Sequence, residues 1–151
     1  MDAPIPKDQQ FAARIQASFA KQSLMKTIGA RLTKVLPGAV EIALAASPAL
    51  SQQHGFMHAG ALTAIADTAA GYAALSLMPS GAGALTTEFK INLLAPAVGD
   101  RIIARARVIK AGRTLTVAHT EVFAERDGRE KLVAMLTETV MAITGRRDVS
   151  D

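Results

Sequence analysis

The chain has no cysteine, no tryptophan and a single tyrosine among its 151 residues. Without cysteine there is no disulfide framework, no thiol nucleophile and no thiolate metal site. The five phenylalanines stand apart from one another, and no basic stretch interleaves with them. The combination of stacking rings and phosphate-binding cations that marks a nucleic-acid binder is therefore missing. The formal charge of +4 comes from 17 basic and 13 acidic residues scattered along the chain, which suits a small anionic ligand better than a polyanion. The opening residues, MDAPIPKDQQ, lack the basic-then-apolar pattern of a secretory leader. The expected compartment is the cytoplasm, with neither nucleic acid nor membrane as partner.

Half of the residues are hydrophobic, mainly Ala, Val, Ile and Leu. A chain of this length can bury one sizeable core. It reads as a single domain over 1–151, with 1–8 and 145–151 expected to be flexible. The organising stretch is QQHGFMHAGALTAIADTAAGYAALSLM, residues 52–78. From 59 to 78 it is a helix expectation: Ala and Leu dominate, and proline is absent until Pro79. Apolar residues occupy every face, so the helix wants to be surrounded. A membrane span has a similar length, but Thr63, Asp67, Thr68 and Ser76 argue for a buried helix instead. Asp67 is the one ionisable residue in it. A carboxylate in such a setting must be paired, protonated or used chemically.

Before this helix, Phe11, Ala12, Ile15 and Phe19 recur at helical spacing within 9–22. Strands are expected at 29–35 and 39–46, turning at Pro37-Gly38. After a Gly-rich link at 80–84, strands follow at 84–94, 101–110, 114–125 and 131–143, separated by turn residues. In the second of these, Ile103, Arg105 and Arg107 share one face, and Ile102, Ala104, Ala106 and Val108 the other. Consecutive antiparallel strands beside one segregated helix imply an α+β fold, the sheet curling around the helix. Sheet edges left over would be covered by pairing across a dimer.

The segment from Gly55 to Gly60, G-x-x-H-A-G, followed by Ala66-Asp67, resembles the hotdog-fold acyl-CoA thioesterases of the PaaI type. The nine-residue step from His58 to Asp67 has the family spacing, and TTEFKINLLAP and KAGRTLTVAHTEV continue the likeness. The resemblance implies an antiparallel sheet wrapped around a central helix. It also implies a dimer with a continuous sheet, usually doubled to a tetramer, and active sites shared between subunits. The implied reaction is metal-free hydrolysis of acyl- or aryl-CoA thioesters to free acid and coenzyme A. No cofactor is expected beyond the coenzyme A of the substrate. By the same matching, Thr86 stands where the family holds its water with Ser or Thr, and Gln52 where the family has Asn. Ala59 replaces the first glycine of the family's His-Gly-Gly.

The residues point to compatible chemistry. A helix beginning at Ala59 leaves the amides of Ala59, Gly60 and Ala61 unpaired at its positive end, where an oxyanion would be stabilised. Gly60 would let a substrate approach the backbone. Asp67 lies too far along the same helix to meet that carbonyl, so the carboxylate of a partner subunit is the expected base or nucleophile. His58 is expected to shape the loop by hydrogen bonding. Gly55, Phe56, Met57 and Leu62 are candidate acyl-pocket residues, with core packing the competing role for the last three. The resemblance makes Gly112, Arg113 and Thr114 candidates for the nucleotide end of coenzyme A, with a solvated hairpin charge the competing role for Arg113. His54 and His58, four residues apart, lack a third ligand, and His119 stands alone on a strand, so no metal site is expected. The competing functions are a hotdog hydratase or dehydratase and a non-catalytic acyl-CoA binder or sensor.

Overall fold

The computed structural model describes residues 4–151. The expectation of flexibility at 1–8 thus falls partly outside the described residues, and 4–7 carry no helix or strand. Among the described residues three α-helices, α1 (Phe11–Phe19), α2 (Ser23–Ile28) and α3 (Ala59–Leu75), accompany six strands. The strands are β1 (Arg31–Leu36), β2 (Ala39–Ala45), β3 (Gly83–Leu93), β4 (Arg101–Ala111), β5 (Leu115–Arg126) and β6 (Arg129–Ile143). They form one sheet in the order β1-β2-β4-β5-β6-β3, with every pair antiparallel.

Helix α3 packs against β2, β3, β4, β5 and β6. Ile65, Ala66, Ala69, Ala70, Ala73 and Ala74 are wholly buried in this contact. Alanine brings the helix axis close to the sheet, so a single 17-residue helix fills the sheet's concave side. Inward residues of the strands alternate as expected, Ile102, Ala104 and Ala106 on β4 and Thr116, Ala118, Thr120, Val122 and Ala124 on β5. On the opposite face Arg105 Nε reaches Glu41 at 2.7 Å, and its two terminal nitrogens grip Glu130 at 2.6 and 2.7 Å.

The expected helix over 9–22 is α1, shorter at both ends, and a separate α2 follows it at 23–28, where no element was expected. Gly29, at φ +74°, ends α2 in the left-handed conformation that glycine tolerates. Ile28-Gly29 with Lys26 in the last turn is the stop signal that the periodicity argument passed over. Helix α1 holds α3 through Arg14, whose guanidinium donates to the carbonyls of Leu75, Met78 and Pro79 at 3.1, 3.1 and 2.7 Å. The Leu75 and Pro79 carbonyls also accept from the amides of Met78 and Ala82, and Arg14 is the sole donor to the Met78 carbonyl among the described residues.

The segment 145–151, expected to fray, makes defined contacts. Ser18 Oγ donates to Asp151 Oδ1 at 2.5 Å, and Arg146 pairs with Asp148. A Cβ on Gly83 would lie 1.7 Å from the carbonyl oxygen of Val149. Glycine at 83 is thus required by the returning chain, and the link at 80–84 already enters β3 there.

Strand β3 is a sheet edge. Leu85, Phe89, Leu93 and the following Leu94 are 43, 44, 56 and 48 % exposed along it. A register shift between Thr86 and Glu88 makes Thr87 an extra residue, so that Thr86 pairs with Val140 and Glu88 with Thr139. Such bulges re-aim side chains. Here Thr86 shares the inward face of Val140, while Glu88 turns to the outer face and accepts from Thr139 Oγ1.

Candidate active site

The residues singled out in the sequence gather in three places. The first is the N-terminus of α3. His58 is its N-cap, with extended backbone, and its Nδ1 accepts from the Gly60 amide at 2.8 Å. The imidazole therefore carries no proton on Nδ1. The Ala61 amide donates to the His58 carbonyl at 3.0 Å. This corrects the expectation of three unpaired amides: Gly60 and Ala61 are occupied, and Ala59 alone has no acceptor among the described residues. A Cβ on Gly60 would stand 3.0 Å from His58 Nδ1, so the open side of this glycine receives the imidazole rather than a substrate.

Beside Ala59 lies a cavity of about 410 Å³ lined by Gln52, Phe56, Met57, Leu62 and Leu93 to Ala97. Met57 and Leu62 are buried and belong to the core as well as the wall, whereas Phe56 is exposed. The loop is shaped by backbone bonds from Gln52 to Phe56 and from Gly55 to Gln52 at 2.8 and 3.0 Å. Gly55 makes this turn at φ +83°. The Gln52 side-chain carbonyl accepts from the His54 amide, and the residue lines this cavity. His54 contacts Gln53 and does not converge with His58.

The second place is the middle of α3. Asp67 and Thr86 line an open cavity of about 430 Å³ with Gly71, Tyr72 and the C-terminal residues 148–151. Thr86 Oγ1 lies 2.9 Å from Asp67 Oδ1 and 2.9 Å from Glu138 Oε1. Glu138 is fully buried, and its Oε2 has no partner among the described residues. Burial, followed by the negative charge of Asp67, pushes its carboxyl up from 4.5 to about 8, against the opposing hydrogen bond from Thr86. Sequence reasoning missed Glu138, because a glutamate in LTETVM reads as a solvated strand charge. The available signal was parity: 138 shares its face with Ala134, Leu136 and Val140, all buried.

The third place is the β4–β5 turn. Gly112, Arg113 and Thr114 line a cavity of about 640 Å³ with Lys7, Met78, Pro79 and Thr144. The Thr114 carbonyl accepts from Ala142, which pairs with Ala84 at the rim of the Asp67 cavity. His119, on the outer face, is half-buried and pairs across the sheet with Arg107 and Thr137.

Within one chain these places stay apart. Eight residues separate Ala59 from Asp67, about 12 Å along the helix axis. Thr86 and Leu93, at the Asp67 cavity and the Gln52 cavity, are about 23 Å apart along β3. No helix is long and apolar enough to cross a membrane among the described residues.

Comparison with known proteins finds the same fold. A thioesterase family protein from Silicibacter pomeroyi is 50 % identical, with a TM-score of 0.88, over 89 % of this chain and 99 % of its own. The PaaI protein of the E. coli phenylacetic acid degradation operon, 24 % identical, shares the fold at a TM-score of 0.82, over 92 % of this chain and 97 % of its own. A candidate esterase of Halobacterium salinarum is 29 % identical over 121 residues, 77 % of this chain and 80 % of that protein. The hotdog architecture and the likeness to PaaI-type proteins expected from the sequence are both found. The profile of the thioesterase superfamily matches residues 54–131, just over half of the chain, and the protein belongs to that superfamily of thioester hydrolases.

Proposed function

We propose that the protein hydrolyses acyl- or aryl-CoA thioesters with Asp67 as general base, in a site completed by a second copy of the chain. The observation that carries this reading is Asp67 itself. It is the one carboxylate on α3, opening onto a cavity and held by Thr86. The Ala59 amide, at the positive end of α3, is a donor waiting for an acceptor.

A twofold pairing of β3 with its copy supports the joining of the half-sites. The strand is an edge with exposed Leu85, Phe89 and Leu93, a surface that invites another strand. An antiparallel register centred between Phe89 and Lys90 would set Thr86 of one copy opposite Leu93 of the other. The cavity beside Ala59 would then meet the cavity beside Asp67. Doubling of such a dimer to a tetramer belongs to the same proposal.

Asp67 takes a proton from water as the water oxygen bonds to the thioester carbonyl carbon. The Ala59 amide receives the developing oxyanion. The carbon–sulfur bond breaks as the intermediate collapses. The thiolate takes the proton back from Asp67 and leaves as coenzyme A. No metal or further cofactor is needed for this sequence. The apolar wall of Phe56, Met57 and Leu62 suits the acyl group, and Lys7 and Arg113 supply cations for nucleotide phosphates.

The test is free-thiol release from straight-chain, phenylacetyl and benzoyl CoA esters by wild type and Asp67→Asn. Turnover by wild type that falls by about 100-fold or more in a folded Asp67→Asn protein supports the proposal. Tight binding by both proteins without turnover overturns it in favour of an acyl-CoA binder.

A further inference from the structure

We propose that Glu138 is a positioning residue: a buried carboxylic acid that keeps its proton on the oxygen facing Thr86 and so turns the Thr86 hydroxyl hydrogen onto Asp67. This rests on the reading of Asp67 as the base and adds a residue to it.

The argument is a count of protons. Thr86 Oγ1 stands 2.9 Å from one oxygen of Asp67 and 2.9 Å from one oxygen of Glu138. A hydroxyl has one hydrogen and two lone pairs. With both carboxylates ionised, two acceptors would compete for a single hydrogen, and the loser would lie against an oxygen lone pair. One added proton resolves the conflict. Held on Glu138 Oε1, it is donated to Thr86, whose own hydrogen then goes to Asp67.

Glu138 is the group placed to keep that proton. It is fully buried, and its Oε2 has no donor among the described residues. A charged oxygen without a donor is far more costly there than the carbonyl of a neutral acid. The ionisable groups around it are Asp67 on α3 and Glu88 on β3, both acidic. Its register partners, Ala118 on β5 and Phe89 on β3, carry no charge. No basic side chain among the described residues forms an ion pair with it. The bulge at Thr87 contributes by turning Glu88 away from the inward face. Asp67, by contrast, opens onto a cavity, where water reaches it.

When Glu138 loses its proton at alkaline pH, the Thr86 hydrogen is contested and Asp67 gains a second negative charge beside it. Turnover is then expected to fall through about pH 8. Glu138→Gln keeps a donor toward Thr86 at every pH, because its amide NH2 can stand where the acid proton stood. Glu138→Leu removes the donor to the Thr86 oxygen, leaving one of its lone pairs unsatisfied and Asp67 as its one remaining partner.

The experiment combines infrared spectroscopy with pH profiles of kcat and KM. In wild type a protonated-carboxyl C=O band is expected at neutral pH, lost on alkaline titration and missing in Glu138→Gln. Glu138→Gln is expected to keep kcat within about threefold at neutral pH and to lose the alkaline fall, and Glu138→Leu to lose about tenfold in kcat with KM unchanged. Absence of a band that Glu138→Gln removes overturns the proposal. So does an alkaline limb that is identical in wild type and Glu138→Gln. Failure of the proposed function is seen separately, as full turnover by Asp67→Asn or no turnover by wild type, and does not alter the infrared result.

Discussion

Thr86 and Glu138 meet through oxygens 2.9 Å apart, one on an exposed edge strand and the other on a wholly buried position of the neighbouring strand. The contact links stability to pH. Glu138 holds its proton more tightly folded than unfolded, with its carboxyl raised from 4.5 to about 8. The stability it contributes is therefore complete below pH 4.5, declines as the unfolded chain ionises, and is lost once pH passes about 8. Thermal melts across this window should show a falling Tm for wild type and a flatter profile for Glu138→Gln. Parallel profiles would show that Glu138 does not carry the linkage.

Ala59 offers an unusual way to remove a backbone donor. Proline lacks the N–H but is accepted at the first position of a helix. His58 already has φ −66° and ψ 136°, the conformation favoured before proline. Ala59→Pro should therefore fold and melt close to wild type while losing about 100- to 1000-fold in kcat. Steady-state kinetics beside a melting curve checks this. Unchanged turnover would remove the Ala59 amide from the mechanism.

A shared site predicts complementation. Each site would take Ala59 from one subunit and Asp67 from the other. Unfolding and refolding Asp67→Asn with Ala59→Pro should create mixed dimers in which one site is wholly wild type and the other doubly altered. Activity should reappear on mixing two nearly inactive proteins. If both groups acted from one chain, the mixture would stay as inactive as its components.

Arg14 closes the C-terminal end of α3 with three charge-assisted bonds. Its removal leaves the Met78 carbonyl without a donor among the described residues, takes a second donor from the carbonyls of Leu75 and Pro79, and removes the favourable charge at the helix end. Arg14→Ala should destabilise the fold by about 2–3 kcal/mol, measured by urea denaturation. Arg14→Lys should recover only part of this, because one ammonium cannot span all three carbonyls. An unchanged midpoint would show that water replaces the guanidinium without loss.

Much of the architecture was legible because it is written in local patterns. An Ala-rich run without proline specifies a helix, and its apolar faces require a sheet on several sides. The strands announced themselves by alternation between Gly and Pro turns. Helix α2 was passed over because six residues are too few for periodicity to speak, although Gly29 marked its end. The segment 145–151 read as a frayed tail from its polarity, yet Ser18 and Gly83 give it a place. Those partners lie far away in sequence.

The sequence by itself determined the candidate carboxylate, the helix that carries it and the family to which the chain belongs. The first two follow from residue type and spacing along one element, and the third from a resemblance carried by several local motifs. Only the tertiary structure decided which amide at Ala59 to Ala61 remains free, since that depended on where the His58 ring folds. It also decided that Glu138 faces Thr86, since a one-residue bulge at Thr87 sets the inward side of β3. The direction of a side chain across a sheet is a property of register. Register is settled by the pairing of strands more than forty residues apart, not by either strand alone.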